Sequence, residues 1–397
     1  MNLIEGLYYI GYSIKKYNDL KNQKKLPFKV ISIGNITVGG TGKTPATIAI
    51  AEEAKRRGFV PVILTRGYKG KIKGPCFVSK GEGPLMSEED AGDEPIIMAE
   101  KLKGVPIVKG EDRYEAGVFA LQNLGDTETR RHGDTETALF TDSPIHRFTH
   151  SPIVFILDDG FQHWKLFRDK DLLLIDGTNP FGNKRLLPIG PLREPLRAIG
   201  RADIVVITKT DMLSSQSTVY GQSTAPPTYP SLSRAMARRG EGKGGGDISQ
   251  SMTYGKSEFR RLIKEIRKYN KKAPVFFAEH RPLQFLSARG EIFPLEWAMG
   301  KRFFVFSGIG NPGSFKETLL LAGINLKGFK SYRDHYRYAL KDIEKIVEHS
   351  KRSGADWIVT TEKDIMRLKE LSVPANLIAL VIEFSVGKEF YDEVFRK

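Results

Sequence analysis

The chain has 397 residues, 40% of them hydrophobic, and 62 Lys and Arg against 47 Asp and Glu give a net charge of +15. Its one cysteine, Cys76, excludes a disulfide framework and a cysteine zinc site, and fits a reducing, cytoplasmic setting. No run of about 18 apolar residues occurs, which argues against a spanning helix, while the charge calls for an anionic partner: nucleic acid, anionic lipid or a phosphorylated substrate.

Residues 1–29 open the chain as an amphipathic helix. Leu3, Leu7, Ile10, Ile14 and Tyr17 recur at helical spacing, Tyr8, Tyr9 and Tyr12 add aromatics, and Lys15, Lys16, Lys21, Lys24, Lys25 and Lys29 follow. Such a face suits either the boundary of an anionic membrane or packing on its own domain. A strand at 30–33 then runs into Gly34-Asn-Ile-Thr-Val-Gly-Gly-Thr-Gly-Lys-Thr-Pro45, with a helix over 44–57. This is the arrangement of a phosphate loop. Gly39, Gly40 and Gly42 permit positive φ and turn backbone N–H groups toward phosphate oxygens, helped by the positive end of the following helix. Thr37, Val38 and Thr41 complete the loop, Lys43 reaches the β and γ phosphates, and the Thr44 hydroxyl sits on Mg²⁺. The usual pattern has Gly where Thr37 stands.

Further strands are predicted at 60–64, 105–108, 153–157, 172–175, 204–207, 275–277, 303–306 and 357–360, and helices at 89–101, 113–124, 256–269, 312–321 and 340–350. Their alternation predicts an α/β fold, a P-loop NTPase-like, mainly parallel sheet, with a second, smaller α/β domain. The domains read as 30–210 and 256–397. Between them, 211–255 is rich in Ser, Gly, Pro and Arg and reads as an insertion or linker, and the tandem Gly125-Asp-Thr-Glu-Thr129 and Gly133-Asp-Thr-Glu-Thr137 marks a polar insertion over about 125–150. Neither carries the aromatics of a specific nucleic-acid module. The strand at 153–157 ends in Asp158-Asp-Gly-Phe-Gln-His163; carboxylates at a strand end near a phosphate loop hold Mg²⁺ or its water shell. Thr208-Lys-Thr-Asp211 resembles the guanine-reading Asn-Lys-x-Asp, with Thr in place of Asn.

Val38–Pro45, Thr65-Arg-Gly-Tyr68, Gly92-Asp-Glu-Pro95, Gly110-Glu-Asp-Arg113, Asp158–His163, Leu192-Arg-Glu-Pro195, Gly308-Ile-Gly310, Asp334-His335 and Thr361-Glu-Lys-Asp364, taken in this order, resemble the tetraacyldisaccharide 4'-kinase family. Thr37 is ordinary in that family's loop. The resemblance implies transfer of the ATP γ-phosphate, with Mg²⁺, to the 4'-hydroxyl of tetraacyldisaccharide 1-phosphate, forming lipid IVA in lipid A synthesis. It implies Asp93 as base, His335 as its partner, Glu194 with Asp158 and Asp159 on the metal side, and Arg193 near the phosphates. Tyr68, Arg113 and His163 then meet the phosphorylated sugar. Arg66 either joins them or forms a structural ion pair, and Asn35 either binds the acceptor or braces the loop. The substrate's acyl chains imply peripheral work at the cytoplasmic face of the bacterial inner membrane, held there by the first helix. A monomer is favoured, although nothing in the sequence sets the oligomeric state. The competing readings are a phosphate-loop GTPase or metallochaperone, and a non-enzymatic, ATP-switched positioning protein at the membrane.

Overall fold

The computed structural model describes residues 2–67, 72–124, 152–211, 248–369 and 371–396. Tyr68, the tandem repeat and most of 211–255 lie outside the described residues. Helix α1 (Leu3–Lys21) begins in a capping box: the Asn2 side chain accepts from the Glu5 N–H and the Glu5 carboxylate from the Asn2 N–H. There follow β1 (Lys29–Gly34), α2 (Lys43–Arg56), β2 (Val60–Thr65), β3 (Cys76–Ser79), α3 (Glu88–Ala91), α4 (Asp93–Lys101), β4 (Ile107–Lys109), α5 (Arg113–Leu124), β5 (Ile153–Asp158), β6 (Lys170–Asp176) and β7 (Ile204–Thr208). The remainder comprises α6 (Ile248–Tyr269), β8 (Val275–Ser287), β9 (Ile292–Pro294), β10 (Arg302–Ser307), α7 (Pro312–Leu321), β11 (Asn325–Ser331), α8 (Leu340–Arg352), β12 (Trp357–Thr361), α9 (Glu362–Arg367), β13 (Leu377–Val386) and α10 (Lys388–Phe395).

The strands make one sheet in the order β11-β10-β12-β13-β8-β7-β6-β1-β5-β2-β4-β3, with β9 on β8. β1 lies parallel between β5 and β6, with Val30, Ile31 and Ile33 fully buried. Burial on both faces is why this strand reads as apolar without alternation. β8 joins the two halves. Val275 pairs in parallel with Val205 of β7, and from Ala278 to Ser287 the same strand runs antiparallel to β13. The end of the chain then returns to the first half: Phe390, Val394 and Phe395 share a core with Ala46, Ile50 and Ala54 of α2, and Phe395 stacks on Phe59 at 5.5 Å.

Several boundaries differ from the sequence expectation, four of them with consequences for the fold. The helix expected over 89–101 breaks at Gly92 (φ 94°, ψ 158°), a backbone suited to glycine, and the break puts Asp93 at the first position of α4. α6 begins at Ile248, inside the stretch assigned to the linker. The strand expected at 105–108 lies at Ile107–Lys109, and the one at 275–277 continues to Ser287. Strands β3, β9, β11 and β13 and helices α9 and α10 were not expected. Among the described residues no helix is long and apolar enough to cross a membrane.

Candidate active site

β1 hands the chain to a loop that is clamped on two sides. The Asn35 side-chain amide donates to Thr41 Oγ1 at 3.0 Å, and the Asn35 backbone carbonyl accepts from Gln162 Nε2 at 2.7 Å. Thr37 bridges Leu192, the Val38 N–H donates to the Pro191 carbonyl at 2.8 Å, and the Thr41 carbonyl accepts from Thr208 Oγ1 at 3.0 Å. Gly42 opens α2 at φ 83°, and a Cβ there would overlap the His280 ring. Val38, Gly39, Gly40, Thr41, Gly42, Lys43 and Thr44 line a cleft of about 1570 Å³ between the loop and the second half of the chain. The loop is therefore held by contacts along both sides. Of the two readings of Asn35, its burial and its bond to Thr41 support the one in which it braces the loop.

The two carboxylates after β5 sit in opposite electrostatic states. Asp158 accepts from Thr47 Oγ1 at 3.4 Å and Thr65 Oγ1 at 3.2 Å; burial, then the charge of Asp159, pushes its carboxyl up to about 6. Asp159, at φ 50°, lies 3.5 Å from Lys43 Nζ and accepts from Arg193 at 3.0 and 2.9 Å. Burial works against its charge, but Lys43 and Arg193 outweigh it and hold the carboxyl well below the usual range. Arg113 packs behind the pair, brought down to about 10 by burial while Asp159 and Asp158 act the other way. His163 Nε2 accepts from the Arg113 N–H at 3.4 Å, and burial followed by the Arg113 charge brings the imidazole down to about 3, so it is neutral. Arg66 stands exposed on the lip of the cleft.

Mg²⁺ takes oxygen ligands and is held by one or two carboxylates together with phosphate oxygens. Asp158 fits this: its buried charge is disfavoured until a cation compensates it, and the all-oxygen set of Asp158, Asp159 and Thr44 lines the cleft. Among the described residues no group of three or more His, Cys, Asp or Glu could hold a metal ion alone, which leaves phosphate oxygens to complete the set. Glu194, which the resemblance puts on the metal side, has other partners here. It is fully buried, and both oxygens are taken, by Arg201 through two bonds of 2.6 Å, by Tyr12 Oη at 2.8 Å and by Gln162 Nε2 at 2.6 Å.

Across the cleft the second half supplies its own group. His335, in the left-handed region at φ 56°, lines the cleft and brings Nδ1 to 3.2 Å from Asp93 Oδ2. Arg367, which sequence reasoning missed, donates to the same oxygen through Nε at 2.9 Å and through a second, shorter bond. It also donates to the Gly308 carbonyl at 2.9 Å and Asp364 at 3.1 Å, which fixes it in place. Burial opposes the Asp93 charge, but His335 and Arg367 hold its carboxyl well below the usual range; neighbouring Glu88 is pushed up to about 8 by burial and by Asp93. The signal for Arg367 lay three residues beyond Asp364, one helical turn along, in a motif read only as Thr361–Asp364. Lys209 and Asp211 of the guanine-like motif are committed elsewhere, Lys209 paired with buried Asp176 and Asp211 Oδ1 accepting from the His280 N–H.

A family model described as "Tetraacyldisaccharide-1-P 4'-kinase" matches residues 3–397. A protein from Syntrophus aciditrophicus named "Tetraacyldisaccharide 4'-kinase" is 34% identical over 378 residues, covering 94% of this chain and 84% of the relative. A Pelobacter propionicus protein of the same name is 33% identical over 367 residues, with 92% and 80% covered. Among solved structures, the chain is similar to one described as the "apo" form of LpxK from Aquifex aeolicus in complex with ATP, at TM-score 0.64 and 29% identity, covering 99% of this chain and 96% of that one. With the phosphate loop, the paired carboxylates and the Asp93–His335 contact gathered in one cleft, the chain belongs to the tetraacyldisaccharide-1-P 4'-kinase family.

Proposed function

We propose that the cleft transfers the γ-phosphate of ATP to the 4'-hydroxyl of tetraacyldisaccharide 1-phosphate in the following way. The carrying observation is that Lys43, Asp159, Arg193 and Asp93 from one half and His335 and Arg367 from the other line or underlie the same cleft. Loop residues 37–44 wrap the phosphates, and Lys43 and Arg193 place positive charge where it builds up on the transferring group. Mg²⁺ bound beside Asp158, Asp159 and Thr44 would neutralise phosphate charge. Asp93 accepts the hydrogen bond of the incoming 4'-hydroxyl and takes its proton late, as the bond to phosphorus forms and the bond to the ADP oxygen breaks. A carboxylate with a lowered pKa suffices, because a loose transition state asks little of its base. His335 and Arg367 orient that carboxylate. Arg66 on the lip of the cleft, with buried Arg113 and half-buried His163 nearby, would meet the phosphorylated sugar, the role the resemblance also gives Tyr68.

In this reading 30–210 is the phosphate-loop core and 256–397 a smaller unit that brings the Asp93 partners. Residues 1–29 seat the enzyme peripherally, as a monomer, on the cytoplasmic face of the inner membrane. Support for the last point is the orientation of α1: Leu3, Leu7, Ile10, Ile14 and Tyr17 are 80, 63, 56, 57 and 68% exposed, whereas Glu5 and Asp19 are buried. A helix with its apolar stripe in solvent and its acids buried suits a lipid interface.

The test is transfer of label from γ-labelled ATP to tetraacyldisaccharide 1-phosphate in mixed micelles with Mg²⁺. Wild type labels the lipid, and Lys43→Ala lowers the rate about a hundredfold or more. An unlabelled lipid with wild type overturns the reading; full activity in Asp93→Ala removes that residue's role as base.

A further inference from the structure

The carboxylate of Glu194 has about four acceptor positions, and four donors fill them: two from Arg201, one from Tyr12 and one from Gln162. No lone pair remains for a cation, and the group is fully buried. What Glu194 does instead follows from what its neighbours touch. Tyr12 belongs to α1, one turn beyond Tyr8, whose hydroxyl donates to the Arg193 carbonyl at 2.9 Å. Residues 193 and 194 are thus tied to α1 at both positions. On the other side the Arg193 N–H donates to the Ile36 carbonyl at 2.8 Å, so the same residue is zipped to the phosphate loop. The Arg193 side chain then reaches Asp159, which in turn faces Lys43. Gln162 closes the network, donating both to Glu194 and to the Asn35 carbonyl under the loop.

Upstream, the tie repeats. Glu5 accepts from Arg185 at 3.1 and 2.8 Å and from the Leu186 N–H at 3.1 Å. The segment 185–194 is a strap laced to α1 along one side and to the phosphate loop along the other. We propose that Tyr12, Glu194 and Arg201 are positioning residues for phosphoryl transfer, seating the strap so that Arg193 meets Asp159 and Lys43 only when α1 is docked. This rests on the reading of α1 as the interface helix and of Arg193 as a phosphate-side cation. Glu194 acts through Arg193 and is not a metal ligand.

The experiment uses the full chain with the lipid acceptor in mixed micelles, and reads kcat, KM for ATP, half-saturation by Mg²⁺ and vesicle flotation side by side. Tyr12→Phe removes one hydroxyl, the one that donates to Glu194. Its kcat falls about tenfold or more, as a displaced charge at the reacting centre requires, while the ATP KM, the Mg²⁺ half-saturation and flotation stay at wild-type values. Arg201→Lys, which keeps the charge and loses the fork, shows the same split. Tyr8→Phe severs only the tie to the Arg193 carbonyl and carries the same expectation should Tyr12→Phe fold poorly. Wild-type kcat in a well-folded Tyr12→Phe overturns the inference, as does a Mg²⁺ half-saturation that rises severalfold in Glu194→Gln. Failure of the interface reading shows separately, as wild-type protein that does not float.

Discussion

His280 illustrates how a single buried side chain constrains the loop chemistry. Its ring fills the space a Cβ at Gly42 would need, so glycine is required there by packing as well as by φ. Burial, reinforced by the charge of Lys209 and opposed by Asp176, brings the imidazole down to about 3, well below its ordinary 6.5. The unfolded chain therefore takes up a proton below pH 6.5 that the folded chain refuses until about pH 3. This contribution to stability is fully present above 6.5 and drains away as the pH falls toward 3. Relative to His280→Gln, which cannot titrate, wild type loses about 1.4 kcal/mol more between pH 7.5 and 5.5. Urea unfolding of both proteins at the two pH values measures it, and equal losses would mean that the imidazole is charged in the folded state. Sequence reading left His280 without a role, three residues past the strand expected at 275–277. Its role depends on a contact with a loop more than two hundred residues away, whereas Gly42, Lys43 and Thr44 were legible because loop chemistry is local. For the same reason Asp93 and His335 could be named only through a resemblance, and Arg367 was missed. The Arg201 partner of Glu194 was not legible because it folds back through the 3-10 helix Leu196–Arg201, a return that the Arg-Glu-Pro motif does not reveal.

At the scale of elements, α1 is the most informative because its polarity is inside out. Spacing alone identified the stripe but left open which side it faced, and the structure points it to solvent while Tyr8 and Tyr12 hold the opposite side. The lysines take part as well: Lys15 and Lys16 lie 5.2 and 5.6 Å from the Trp164 ring centre, at the base of the helix. Replacing Leu7, Ile10 and Ile14 together by Ser removes apolar area that is already in water, so folding stability should barely change. Binding to anionic vesicles should fall by about 3 kcal/mol, roughly a hundredfold in partition, at about 1 kcal/mol for each side chain. Flotation gives the partition and thermal melting gives the stability; a variant that floats like wild type would show that the stripe is not the membrane face. Other elements were harder to read. β11, Asn-Leu-Lys-Gly-Phe-Lys-Ser, is a half-exposed edge strand that pairs only with β10, so no buried face imposes a pattern on it. β13 did carry a signal, Leu377-Ile-Ala-Leu-Val-Ile382, as a strand inside the sheet should.

For the molecule as a whole, the question is whether two halves that share one cleft also share their stability. Composition and alternation suggested a core with a smaller unit attached, but they could not show that one strand would serve both. β8 pairs with β7 at its start and with β13 over the rest of its length, and α10 closes the chain against α2. Phe390 is 1% exposed in that shared core, with its ring 5.5 Å from Phe276 and 6.2 Å from Phe384. Emptying such a site costs about 3–5 kcal/mol, through lost burial and the cavity left behind. Phe390→Ala should therefore destabilise the half that contains the phosphate loop, although residue 390 belongs to the other. The three tryptophans divide conveniently: Trp164 reports on the first half, and Trp297 and Trp357, packed edge to face at 4.5 Å, on the second. Variants that keep either Trp164 alone or the Trp297–Trp357 pair should lose their folded fluorescence at the same urea concentration, and Phe390→Ala should lower both midpoints together. Two separate midpoints, with only the later residues responding to Phe390→Ala, would make β8 a tether between independent domains. A common midpoint would mean that closing the cleft and holding the sheet together draw on the same packing.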